Sequence, residues 1–100
     1  LSKRFSLKMI RSFKCADTKR LAAGIRVGRF GHIAAIARRK LRQLDIAHSL
    51  NDLAVPPGNR LEALKGDRIG QFSIRINRQW QLCFRWTKAG PENVEIIDYH

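Results

Sequence analysis

Hydrophobic positions change period partway along this chain. From His32 to Ala47 they recur every three or four residues. Ile33, Ile36, Ala37, Leu41 and Leu44 form one stripe, while Arg38, Arg39, Lys40, Arg42 and Gln43 fill much of the opposite side, which predicts an amphipathic helix over 32–47. Pro56-Pro57-Gly58-Asn59 then breaks any regular element, and alternation takes over. Phe72, Ile74 and Ile76 alternate with Gln71, Ser73 and Arg75; Trp80, Leu82, Phe84 and Trp86 alternate with Gln81, Cys83 and Arg85. Each run predicts a strand with one apolar face. Asn77-Arg78-Gln79 and Lys88-Ala89-Gly90-Pro91 connect them, and Asn93 to Tyr99 reads as a last strand. Upstream, Met9 to Lys14 alternates weakly and predicts a short first strand. Asp17 is placed to cap a helix over 18–23 that Gly24 ends, and 25–31 reads as a basic loop. Ser49 with Asp52 three residues on has the form of a capping box and predicts one short turn. Arg60 to Leu64 is a further candidate strand, followed by the turn-like Lys65-Gly66-Asp67-Arg68.

The order strand, helices, antiparallel meander defines an α+β fold. It places an N-terminal strand and two helices on one face of a mainly antiparallel sheet of about four to five strands. The apolar parity faces the helices. The other parity sets Gln71, Ser73, Arg75, Gln81, Cys83 and Arg85 on an uncovered, polar and basic face, a natural cradle for a ligand. Trp80 and Trp86 share parity with Leu82 and Phe84, so they read as core rather than as base-stacking platforms.

Charge narrows the kind of ligand. Twenty Lys and Arg oppose eight Asp and Glu, giving a net charge of +12 and a pI near 11.1. A polyanionic partner relieves such self-repulsion, and nucleic acid is the usual one. The basic side of the 32–47 helix is either simply solvated or a positioning surface for RNA, since charge alone reads no bases. No apolar run approaches the ~20 residues of a spanning helix, and the basic residues 1–8 lead into no apolar signal stretch. A cytoplasmic protein without membrane contact is expected. Residues 1–8 read as a non-native or flexible extension before a single domain over 9–100. Cys15 and Cys83 are far apart, and His32, His48 and His100 lack ligand spacing, so free thiols and no metal are expected.

The stretch Arg60-Leu-Glu-Ala-Leu-Lys-Gly-Asp-Arg-Ile-Gly-Gln-Phe-Ser-Ile-Arg-Ile-Asn-Arg-Gln-Trp80, with the ending Asp98-Tyr99-His100, resembles the HigB branch of the RelE/ParE toxin superfamily. Met9-Ile-Arg-Ser-Phe matches the family's usual opening. The likeness covers 9–100, weakly through the helices and strongly after Arg60. It implies a RelE-like microbial RNase fold. It also implies a type II toxin–antitoxin toxin of the plasmid maintenance killer kind, a ribosome-dependent endoribonuclease that cuts mRNA without metal or cofactor. The implied partners are the ribosome with its message and a HigA-like helix-turn-helix antitoxin. Carried over residue by residue, the resemblance makes Lys65 the functional lysine and His100 the terminal histidine, with Asp98 and Tyr99 just before it. Gln81 departs from the pattern, because the family usually has arginine directly after that strand's aromatic.

The residues fit such chemistry. An RNA chain can be cut by its own 2′-hydroxyl, given a base, cations for the charge on phosphorus and an acid for the departing 5′-oxygen. His100 titrates near neutrality and suits proton transfer. Lys65, Arg68 and Arg75 can supply charge, and Arg60, Arg78 and Arg85 add RNA-binding cations. Tyr99 can stack on a base, and Asp98 can orient His100. Each has a plainer reading: His100 as an exposed terminus, Lys65 as a solvated turn residue, Arg85 as an edge charge that blocks aggregation. Two functions therefore stay open. One is a message-cutting enzyme. The other is a non-catalytic or attenuated RNA- or ribosome-binding homologue neutralised by an antitoxin, which Gln81 keeps in play.

Overall fold

A computed structural model describes residues 9–98. Helix α1 (Ala16–Ala22) and helix α2 (Ala34–Ile46) precede strands β1 (Glu62–Ala63), β2 (Gln71–Arg75), β3 (Trp80–Thr87) and β4 (Gly90–Asp98), with short 3-10 turns between them. The strands form one antiparallel sheet in the order β1-β2-β3-β4, so the meander expected from alternation is present. Both helices pack on one face of it.

The apolar stripe of α2 explains its seat. Ile33, Ala37, Leu41 and Leu44 are buried in one core with Ile74, Leu82, Phe84, Val94 and Ile96, whereas Ile36 stays partly exposed. Each large side chain so buried contributes ~2 kcal/mol over leaving it in water. Trp80 is buried edge-on against Phe30, their ring centroids 5.6 Å apart, in agreement with the core reading. Thr18 is buried at the α1–sheet junction, where its hydroxyl accepts from the Ile96 N–H at 3.0 Å. The capping box is also as expected: Asp52 accepts from the N–H groups of His48 and Ser49 at 2.9 and 3.1 Å.

Two expectations are corrected. Helix α1 begins at Ala16, and its N-cap is Cys15, which makes no side-chain cap bond. Asp17 therefore lies inside the first turn and pairs with Arg29 at 3.0 Å and Arg20 at 3.6 Å. The segment from Met9 to Lys14 forms no regular strand: it meets β4 through one parallel bridge, Phe13 to Val94, and through the Arg11 N–H, which donates to the Pro91 carbonyl at 2.7 Å. Its first amides turn elsewhere. The N–H groups of Met9 and Ile10 both donate to the buried carboxylate of Asp45 on α2, each at 3.0 Å. Gly90 (φ 126) permits this course, because a Cβ there would overlap the Met9 carbonyl.

Candidate ribonucleolytic site

The sheet face turned away from the helices carries the candidate site, and cross-strand register sets what meets on it. Gln71 lies opposite Arg85, and Arg75 lies opposite Gln81. The row between them runs from Glu62 through Ser73 and Cys83 to Glu95. Four residue steps along β2 separate the outer rows, or ~13 Å.

This middle row is closed, contrary to the open face expected from alternation. Ser73 and Cys83 are buried. Arg68 reaches from the Gly66–Arg68 turn across β2 and β3, donating to Gln71 Oε1 at 3.0 Å and to Glu95 Oε2 at 3.3 Å. Lys14 meets the same Glu95 oxygen at 3.7 Å. Burial pushes the Cys83 thiol up to about 11, with Arg68 opposing and Glu95 reinforcing the shift. Arg68 is thus largely spent in a half-buried ion pair.

Two cavities flank that bridge. One of about 280 Å³ is lined by Arg60, Glu62, Arg75, Asn77, Arg78 and Gln81. The other, about 300 Å³, is lined by Glu62, Ala63, Leu64, Lys65 and Arg68. Glu62 lines both, so they adjoin at β1. The first is shaped by local backbone. Arg60 takes a left-handed conformation (φ 47) after the Pro57–Asn59 turn. Buried Asn59 anchors that turn by donating to Gln43 Oε1 at 3.1 Å and to the Leu53 carbonyl at 3.0 Å, while accepting from Lys40 Nζ. Asn77 turns the β2–β3 hairpin by accepting from the N–H groups of Gln79 and Trp80, both at 2.8 Å. Arg75 Nε donates to the Asn77 carbonyl at 3.2 Å, which fixes the guanidinium at the cavity. Among the described residues, Arg60, Lys65, Arg75, Arg78 and Arg85 form no ion pair. Gln81 Oε1 is buried there without a hydrogen-bond partner.

The anticipated residues are therefore divided. Arg60, Arg75, Arg78 and Gln81 converge. Asp98, opposite Trp80 and accepting from Gln79 Nε2 at 3.1 Å, marks the same end of the sheet. Lys65 stands in the adjoining cavity, and exposed Arg85 is at the far row, its Nη1 within 2.9 Å of where a Gly70 Cβ would be. Tyr99 and His100 lie outside the described residues. Glu62 and Asn77 were not singled out from sequence. Glu62 could have been, since in the candidate strand 60–64 it shares parity with Arg60. Among the described residues, no three His, Cys, Asp or Glu side chains are grouped to hold a metal ion.

A four-stranded antiparallel sheet with two helices on one face, and an arginine-lined hollow on the other, is a RelE-like architecture. Sequence comparison takes this further. The family described as RelE-like toxin of type II toxin–antitoxin system HigB matches residues 4–100, and the chain belongs to that family. It is 52% identical over 62 residues to a Vibrio cholerae protein named Toxin HigB-1, covering 62% of this chain and 64% of that one. It is 37% identical over 65 residues to an uncharacterized Haemophilus influenzae protein, covering 65% and 63%. The matches thus span a little under two thirds of these relatives' lengths.

Proposed function

We propose that this chain is the toxin of a type II pair and cuts ribosome-bound mRNA by 2′-hydroxyl attack without metal, in the cytoplasm, with a HigA-like helix-turn-helix antitoxin as its partner. The observation that carries the proposal is the cavity in which Arg60, Arg75 and Arg78 converge around Glu62 and Gln81 with, among the described residues, no acid in ion-pair contact. Three cations lining one hollow, with Arg75 held there by the Asn77 carbonyl, suit the charge that builds on phosphorus as the 2′-oxygen attacks. Glu62 offers an acceptor for the hydroxyl proton. The family resemblance assigns protonation of the departing 5′-oxygen to His100. Lys65, beyond Glu62, suits an adjacent phosphate, so the RNA strand would follow the β1 edge from one cavity to the next. Arg85 contributes at most a peripheral contact.

In a purified translation system, wild-type protein is expected to cleave message only when ribosomes translate it. His100→Ala, Arg75→Ala and Lys65→Ala should lower cleavage while leaving the unfolding transition in place. The second reading, an attenuated or non-cutting ribosome binder, rests on Gln81, an uncharged side chain at the cavity where the family usually has arginine. It predicts salt-sensitive ribosome association with intact message.

A further inference from the structure

The turn that carries Lys65 has little to hold it in place. It joins β1, a two-residue strand at the sheet's edge, to β2. Gly66 (φ 63) and Gly70 (φ 91) give it left-handed corners. None of its residues from Gly66 to Arg68 is buried, and in the stretch 65–70 Arg68 alone is not fully in solvent. The amides of Arg68 and Ile69 donate to the Lys65 and Gly66 carbonyls at 3.2 and 3.1 Å. Those bonds fix the shape of the turn but not its seat on the sheet. The seat comes from the Arg68 side chain, which donates to Gln71 Oε1 and, on β4, to Glu95 Oε2. The paired side chains are only 33% and 14% exposed, so salt and water weaken this contact less than an open surface pair. Glu95 is otherwise out of place. It is an acid on the face that meets a polyanion, in a chain with eight Asp and Glu against twenty Lys and Arg, and its charge opposes RNA binding.

We infer that Glu95 and Arg68 are positioning residues for cleavage: their ion pair pins the turn to β4 and so aims the Lys65 ammonium at the RNA strand, an inference that rests on reading the chain as a message-cutting nuclease. The Lys65 carbonyl is bonded to the Arg68 amide, so a shift of one is carried to the other. Without the pair the turn pivots on its two glycines, and Lys65 meets its phosphate only part of the time. A displacement of ~1 Å is enough to slow a reaction by about a hundredfold. Two effects of Glu95→Gln therefore have opposite signs. Removal of a negative charge favours ribosome binding, and release of the turn slows cutting.

The test measures cleavage of translated message by full-length variants, with thermal melts and ribosome affinities on the same preparations. Glu95→Gln is expected to bind ribosomes at least as tightly as wild type while its kcat falls by about tenfold or more. Arg68→Lys keeps the charge but loses the planar fork that spans Gln71 and Glu95, and its kcat should fall likewise. Lys14→Ala removes only the more exposed partner of Glu95 and should leave kcat within about twofold. In a Lys65→Ala background Glu95→Gln should have no further effect, because the pair acts through that lysine. Should Glu95→Gln not fold, Arg68→Lys carries the same test. A kcat within about twofold of wild type, a further tenfold loss on top of Lys65→Ala, or ribosome affinity that falls in step with cleavage overturns the inference. A wild-type chain that cuts no message removes the nuclease reading by itself, and hydrogen exchange then judges the pin. Arg68 and Ile69 amides that exchange about tenfold faster in Glu95→Gln support it, and equal rates overturn it.

Discussion

Replacing Gln81 with arginine tests the cavity's chemistry from the side of gain rather than loss. Gln81 faces Arg75 across the β2–β3 ladder, and its Oε1 is buried without a partner. Gln81→Arg removes that orphaned acceptor, whose burial costs about 1–3 kcal/mol. It also sets two like charges opposite each other, which costs ~0.2–1 kcal/mol. Glu62 lines the same cavity and screens the added charge. The gain outweighs the cost, so the unfolding free energy should rise by between ~0 and ~3 kcal/mol. The transition state gains independently. One preorganised donor aimed at developing charge is worth ~3 kcal/mol, or about a hundredfold in rate. The assay is the rate at which cleaved ends appear on a translated message, with purified protein and saturating ribosomes, beside a thermal melt of the same preparation. Unchanged cleavage by a well-folded Gln81→Arg protein would refute the placement of the reacting phosphate in this cavity.

Three further outcomes probe the scaffold. Asp45→Ala removes the charged acceptor of the Met9 and Ile10 amides and should lower stability by ~3 kcal/mol in chemical denaturation; a loss under ~0.5 kcal/mol would show that the N-terminal segment is held by other contacts. A thiol reagent at neutral pH should modify one cysteine per native chain and two per unfolded chain. Burial raises Cys83, whereas at Cys15 the upward push of burial is outweighed by hydrogen bonds from Thr18, Asp17 and Arg29, so the protected thiol must map to Cys83. Asp52 is held below the usual carboxylate range by the His48 and Ser49 amides. Its contribution is therefore present above the ordinary carboxylate pKa and is lost as pH falls through the lowered one. Asp52→Asn should flatten that acid limb of the stability curve, and an unaltered acid limb would dismiss the capping box as its source.

How far the sequence reaches follows from which interactions are periodic. Helix α2 and strands β2 to β4 were legible because their apolar residues repeat at 3.6 or 2 and most of them are buried. The first strand was not, because its opening amides bind the side chain of Asp45 instead of a neighbouring strand. Alternation assigned Gln71, Ser73, Arg75, Gln81, Cys83 and Arg85 to one face correctly, but a cover arriving from elsewhere leaves no periodic trace. Arg68 comes from a turn and meets Glu95 across the width of the sheet, and that pair closes the middle row. Parity also says nothing of position along a strand. Only register shows that Arg75 and Gln81 share a cavity with Arg60 and Glu62 while Arg85 stands a strand's length away. The positions of Lys65 and Asp98 in the chain came from motif, and their different surroundings came from the turn at Gly66–Arg68 and the pairing of Asp98 with Trp80.

The termini left on a cut message bear most directly on the proposed chemistry. Attack by the 2′-hydroxyl leaves a cyclic phosphate, or the 3′-phosphate it opens to, on the upstream fragment and a free 5′-hydroxyl on the downstream one. Fragments from a ribosome-dependent reaction should therefore accept phosphate from polynucleotide kinase at their 5′ ends without prior phosphatase treatment, and Arg75→Ala should yield far fewer of them. Downstream fragments that carry a 5′-phosphate, or message that stays whole on toxin-bound ribosomes, would contradict the account.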